Sequence, residues 1–113
     1  MIQFEAEANP TTGYSWDVRM EGEGVFDLRR QAIPPSRNMA GAAGKEKFTL
    51  QGVSSGDVTV YFLYRRPWEG GERHVEYVYT FRINNELRAE LLDTQRTFFN
   101  GEEGTDILRL ISE

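Results

Sequence analysis

Val58-Thr59-Val60-Tyr61-Phe62-Leu63-Tyr64 and Val75-Glu76-Tyr77-Val78-Tyr79-Thr80-Phe81-Arg82-Ile83 are the two runs that decide the fold of this chain. In the first, Val58, Val60, Phe62 and Tyr64 share one face while Thr59, Tyr61 and Leu63 share the other. A strand with apolar groups on both faces belongs in the middle of a sheet. In the second run, Val75, Tyr77, Tyr79, Phe81 and Ile83 line one face of another long strand. The segment between them, Arg65-Arg66-Pro67-Trp68-Glu69-Gly70-Gly71, carries the proline and glycines of a loop and closes the pair as a hairpin.

The same period of two extends towards the N-terminus. Ile2, Phe4, Ala6 and Ala8 alternate with Gln3, Glu5 and Glu7 until Asn9-Pro10 interrupts them. After Thr11-Thr12-Gly13, the residues Tyr14, Trp16, Val18 and Met20 alternate with Ser15, Asp17 and Arg19, which makes Tyr14 and Trp16 candidates for the core. Glu21-Gly22-Glu23-Gly24 reads as a turn, residues 25–30 as a short strand and Ile33-Pro34-Pro35-Ser36 as a loop without ladder donors. Met39-Ala40-Gly41-Ala42-Ala43-Gly44 feeds a strand over residues 45–50, with Phe48 and Leu50 on one face, and Ser54-Ser55-Gly56-Asp57 is a turn.

Beyond residue 84 the pattern weakens. Leu87 and Leu91 stand four apart, so residues 86–93 are read as one or two helical turns, and residues 105–111 as a further strand. Short strands separated by turn signals, with no sustained 3.6-residue period before residue 85, predict an all-β fold, an immunoglobulin-like β-sandwich. A chain of 113 residues is long enough for one core and short for two, so residues 1–113 are expected to form a single domain.

Composition narrows the function. The net charge of -5, with basic residues scattered among carboxylates, opposes binding to nucleic acid or to a membrane surface. There is no cysteine, hence no disulfide, thiol nucleophile or Cys-ligated zinc. The single His74 has neither a cysteine to activate nor a second histidine to share a metal, and the carboxylates show no acid and base spacing. No catalytic residue, metal ligand or cofactor is expected, and the chain reads as a non-enzyme. The N-terminus shows no export signal, so the expected compartment is the cytoplasm if the chain is whole, and a secretory or vesicular space if a signal was removed.

Three connections remain. Asn9-Pro10-Thr11-Thr12-Gly13-Tyr14 followed by Ser15-Trp16, then Gly41-Ala42-Ala43-Gly44 leading to Phe48, then Arg66-Pro67-Trp68 in a hairpin, together resemble the chagasin family of cysteine protease inhibitors. The resemblance covers residues 2–83. It implies a sandwich whose three loops cluster at one end and enter the cleft of a papain-type cysteine protease. On that pattern Asn9, Pro10, Thr11, Thr12, Gly13 and Tyr14 lie over the catalytic thiolate, and Gly41, Ala42, Ala43 and Gly44 approach the non-primed side. Arg66, Pro67 and Trp68 then cover the primed side.

These residue types suit such a task on physical grounds. Asn9-Pro10 restricts the lead-in to the first loop, Gly13 permits positive φ, and small threonines let main chain approach a narrow groove. Trp68 beside a rigid proline is a large contact surface of low entropy, and Arg66 can offer a forked hydrogen bond. A rival reading is a non-inhibitory immunoglobulin-like adhesion or ligand-binding module that keeps the loops as scaffold.

Two departures from the family pattern stand out. Relatives usually carry glycine at the position of Ala43, where a Cβ narrows the backbone options. Relatives also begin with an extra strand ahead of the first loop, whereas this chain starts on the strand leading into Asn9. Residues 104–113 read like that absent strand. Residues 84–113 are therefore either a circularly permuted first strand, with 84–104 crossing the sandwich and 105–111 filling the vacant edge, or an unrelated extension. Docked within its own chain the tail gives a monomer; docked on a second chain it gives a strand-exchanged dimer.

Overall fold

The computed structural model describes residues 1–34, 44–68, 70–99 and 104–113. Among these, eight strands form two four-stranded sheets, with a three-residue 3-10 turn, Pro10–Thr12, as the sole helical element. The strands are β1 (Ile2–Ala8), β2 (Ser15–Gly22), β3 (Val25–Ile33), β4 (Gly44–Ser54), β5 (Gly56–Arg65), β6 (Arg73–Ile83), β7 (Ala89–Phe98) and β8 (Leu108–Ser112). One sheet runs β3-β4-β1-β8 and the other β2-β5-β6-β7, so β5, as its two apolar faces foretold, is an interior strand. Every pairing is antiparallel.

Alternation places the core. Ile2, Phe4 and Ala6 of β1, Phe48 and Leu50 of β4, and Val58, Val60, Phe62 and Tyr64 of β5 are buried with Val75, Tyr77, Tyr79, Phe81 and Ile83 of β6. Phe4 sits at the centre, its ring 4.8 Å from that of Phe62 and 4.7 Å from that of Tyr79, tilted or edge-on. Aromatic rings favour such geometry, and each buried phenylalanine contributes roughly 1.5–3 kcal/mol from removal of apolar surface from water. Trp16 closes the core beneath the first loop, its ring 4.7 Å from Tyr64 and 6.3 Å from Phe48.

Residues 86–93 are not helical. Asn84 and Arg88 close a tight connection in which Asn84 N–H donates to the Arg88 carbonyl at 2.9 Å, and Asn84 Oδ1 accepts from the amides of Glu86 and Arg88 at 2.9 and 3.0 Å. Leu87 holds φ at 66°, so it belongs to the turn and not to a helix face. The chain then continues as β7, in register with β6 from Val75↔Phe98 to Ile83↔Ala89. The four-residue spacing of Leu87 and Leu91 is thus incidental: a window that short does not nucleate a helix against an available ladder.

Residues 89–98 therefore extend the second sheet, so this stretch does not cross the sandwich as expected of residues 84–104. The tail strand starts later than expected, at Leu108, and pairs antiparallel with β1 at the sheet edge, Ala6 facing Leu108 and Phe4 facing Leu110. Leu108 is buried, and Arg109 reaches Glu5 at 3.2 Å. With Lys45 at 3.0 Å as the leading cause and Arg109 beside it, the Glu5 carboxyl is held below its ordinary range.

Candidate functional site

The strand registers determine where the connections lie. Ala8 faces Gly44 across β1 and β4, Ile33 faces Lys45 across β3 and β4, and Ser15 faces Arg65 across β2 and β5. The β1–β2 connection, the β3–β4 connection and the β5–β6 hairpin consequently leave the sandwich at the same pole. Gly41, Ala42 and Ala43 lie outside the described residues. Gly44 opens β4, and Pro34 ends the described part on the other side of that connection.

The first loop is organised by Asn9. Its Oδ1 accepts from the Thr11 amide at 3.1 Å and the Thr11 hydroxyl at 2.6 Å, while its carbonyl accepts from the Thr12 amide at 3.2 Å and hydroxyl at 2.7 Å. Side chains of Asn and Thr hydrogen-bonding local backbone in this way stabilise a turn without help from a ladder. Gly13 takes φ +80°, the left-handed region in which a side chain is strained, and reverses the chain into β2. Thr11 and Thr12 are exposed at the crest; Asn9, Gly13 and Tyr14 are partly covered.

The β5–β6 hairpin packs against this loop. Arg66 N–H donates to the Glu72 carbonyl at 2.9 Å, and Gly71 N–H to the Trp68 carbonyl at 2.9 Å, closing the turn at a positive-φ Gly70. Trp68 remains 55% exposed, and its ring lies over Gly13 so closely that a Cβ there would come 2.7 Å from Trp68 Cη2. Glycine at position 13 is thus required twice, by backbone angle and by the indole above it. Pro67 is exposed.

Arg66 reaches from the hairpin towards the first loop. Its Nε donates to the Thr12 carbonyl at 3.2 Å, and its guanidinium stands 4.8 Å from the Tyr14 ring and 5.9 Å from the Trp68 ring. Glu72 Oε2 lies 3.8 Å from Arg66 and accepts from the Tyr14 hydroxyl at 3.1 Å. Arg66 therefore ties the hairpin to the first loop. Cation–π and charge-assisted contacts of this kind contribute on the order of 1 kcal/mol each at a partly exposed site.

Tyr14 and Trp16 differ in place. Trp16 is buried, its Nε1–H donating to the Glu7 carbonyl at 3.0 Å. Tyr14 falls just before β2 and is half-buried, stacked on Tyr64 at 5.2 Å, with burial and the neighbouring Glu72 raising its hydroxyl pKa. His74 packs edge-on against Tyr14, Tyr64 and Phe98 at 6.2–6.3 Å, a structural place in an aromatic cluster. Glu72 and Tyr64, whose hydroxyl accepts from the Asn9 amide at 3.4 Å, also support the first loop; the sequence carried Tyr64 only as a core position in the alternation of Val58, Val60 and Phe62.

Beside the first loop, a groove of about 440 Å³ runs between Ala8, Thr11, Tyr14 and Trp16 on one side and Ile33 and Pro34 on the other. No group of three or more histidine, cysteine or acidic side chains that could hold a metal occurs among the described residues.

Fold and site together give a β-sandwich whose β1–β2 connection and β5–β6 hairpin meet at one pole. The chain belongs to the chagasin family: the family described as "Chagasin family peptidase inhibitor I42" matches residues 1–83. It is similar to Amoebiasin-1 of Entamoeba histolytica, with 31% identity over 77 residues, 67% of this chain and 72% of that protein. Among solved structures it is similar to the cysteine protease inhibitor EhICP2 of Entamoeba histolytica, at 26% identity and a TM-score of 0.46. That match covers 63% of this chain and 66% of the inhibitor's.

Proposed function

We propose that this chain is a reversible, tight-binding inhibitor of papain-type cysteine proteases that occludes the active-site cleft with its loops and is not itself an enzyme. In this reading Thr11, Thr12 and Gly13 face the catalytic thiolate, supported by Asn9, Pro10 and Tyr14. Pro67 and Trp68 cover the primed side, and residues 41–44 approach the non-primed side. Arg66 serves as the strut between the first and third loops.

The observation that carries the proposal is the exposed Trp68 indole seated on Gly13, beside a turn already fixed by its own hydrogen bonds. A wedge ordered before binding loses little conformational entropy on contact, and an exposed tryptophan at its centre is the residue type that dominates interface energies. The Pro10–Thr12 turn is helical, not extended, so its carbonyls are not presented in line for attack by a thiolate, which favours occlusion over cleavage. The complex is expected to bury about 1,600 Å² in total, the usual size for protease inhibitors. The pairing of β8 with β1 can form within one chain or by exchange between two, and light scattering on a sizing column distinguishes the monomer from the strand-exchanged dimer.

The test is a titration of papain and of a cathepsin L-like enzyme with the purified chain, followed with a fluorogenic peptide. The expected result is stoichiometric loss of activity, recovered on dilution, with the inhibitor recovered uncut. No inhibition at micromolar concentration across several such enzymes would refute the proposal.

A further inference from the structure

The two strands that carry the first loop lie in different sheets, so no ladder joins β1 to β2 at its base. The Trp16 indole, donating across the sandwich to the Glu7 carbonyl, makes that link instead. Glu7 is held a second time, by the tail: its N–H donates to the Ile107 carbonyl at 2.8 Å. Ile107 N–H in turn donates to the Tyr77 hydroxyl at 3.0 Å, and that hydroxyl donates to Asp106 Oδ1 at 3.2 Å. Arg96 Nη1 meets both oxygens of the Asp106 carboxylate, at 2.6 and 2.7 Å. A continuous chain of polar contacts thus runs from β7 through β6 and the tail to Glu7, two residues ahead of Asn9.

We propose that residues 106–112 are a positioning element of the inhibitory surface. By clamping Glu7 they set the direction and stiffness with which the first loop leaves the sandwich, and hence the lifetime of the protease complex. The inference rests on the inhibitory reading of that loop. Its physical basis is the location of the clamp: without the tail, β1 becomes an edge strand whose last ladder residues have a neighbour on the β4 side alone, and the loop base keeps as cross-sheet ties the Trp16 indole on Glu7 and the Asn9 amide, which donates to the Tyr64 hydroxyl at 3.4 Å. Looseness there must be removed when the complex forms, and for variants of one interface such a cost is read mostly in dissociation. A tail that merely covered a sheet edge would protect the whole sandwich evenly and have no special effect on Glu7.

The experiment uses the full chain with Asp106→Ala, and Tyr77→Phe as a second variant that preserves the core ring. Two readouts are taken: hydrogen exchange at the Glu7 amide and the Trp16 indole, with the Val60 amide and the Trp68 indole as references, and association and dissociation rates with papain. Loss of a charge-assisted link should speed exchange at Glu7 and Trp16 about tenfold over the references and dissociation by about the same factor, association being unchanged. Asp106→Asn, which keeps an acceptor for Tyr77, should fall between. Unchanged exchange at Glu7 in both variants, faster exchange with unaltered dissociation, or equal acceleration at Val60 would each overturn the proposal. If the unmodified chain inhibits no protease, the functional reading fails, while the exchange data still decide whether the tail clamps Glu7.

Discussion

Replacing Gly13 by alanine separates folding from binding in this protein. At φ +80° an L-residue pays for a left-handed conformation, about 1–2 kcal/mol, and this falls on the stability of the folded chain. The new methyl would also stand 2.7 Å from Trp68 Cη2, closer than real Cβ contacts come, and 3.2 Å from Cζ3, which is tight. The indole is the movable partner, since it is more than half exposed and sits on a hairpin tip; the collision is relieved by tilting Trp68 off the loop. Binding then loses what the seated indole contributed, about 2 kcal/mol or more for a tryptophan anchor, equivalent to a weakening of about 30-fold in Ki.

A double-mutant cycle tests this reasoning, with Ki from protease titration and stability from urea unfolding. Trp68→Ala alone should weaken inhibition about 30-fold and leave stability within about 0.5 kcal/mol. Adding Gly13→Ala to Trp68→Ala should cost less than about threefold more in Ki, because the group it displaces has gone. If Gly13→Ala inhibits like the unmodified chain, or if the two substitutions add in full, the seating of Trp68 on Gly13 is not what shapes the inhibitory surface.

Further outcomes follow from the same structure. Arg66→Lys keeps the charge but loses the Nε bond to Thr12 and the planar stack; Ki should rise about tenfold while the unfolding free energy changes by less than about 1 kcal/mol, and an unchanged Ki would show that the strut is dispensable. Phe48→Ala empties a fully buried site and should cost about 3–5 kcal/mol by urea unfolding, against less than about 0.5 kcal/mol for Val53→Ala on the exposed face. Burial pushes the Tyr79 hydroxyl from 10.0 up to about 12, with Tyr77 and Asp106 adding to the effect. The folded state therefore holds that proton more tightly than the unfolded chain, so the contribution to stability is complete below pH 10.0 and is lost as pH rises towards about 12. Urea midpoints measured through that window should fall, and Tyr79→Phe should flatten part of the fall. For Glu5 the sign is opposite: its lowered pKa contributes stability above the ordinary value of 4.5 that is lost as pH drops below it, a loss that Glu5→Gln removes.

Much of the sandwich was legible because burial on one face of a strand writes itself into alternate residues. Val58 to Tyr64 and Val75 to Ile83 could be recognised as a core hairpin, and Ile2, Phe4 and Trp16 as core residues, without coordinates. The strand over residues 89–98 was not. Its outer positions are polar, its inner ones are Ala89, Leu91 and Phe98 interrupted by a register shift, and a weak helical spacing competed with a ladder whose partner, β6, lies outside any local window. The candidate loops were visible as short runs of Asn, Pro, Thr, Gly and Trp, since turn chemistry is local. The contacts of Arg66 were hidden, because two of the groups that converge on its guanidinium, the Thr12 carbonyl and the Tyr14 ring, come from a segment more than fifty positions away, and Glu72 comes from across the hairpin.

Sequence alone thus determined the strand periods, the turn residues and the kinship carried by three loop motifs, all of which depend on residues near one another in the chain. Only the tertiary structure decided how those pieces meet: Trp68 over Gly13 from 55 positions away, and the tail strand against β1 from the opposite terminus. Contacts between distant segments are selected by packing and register across the sandwich, and a linear pattern does not specify which of several apolar or charged partners will face one another.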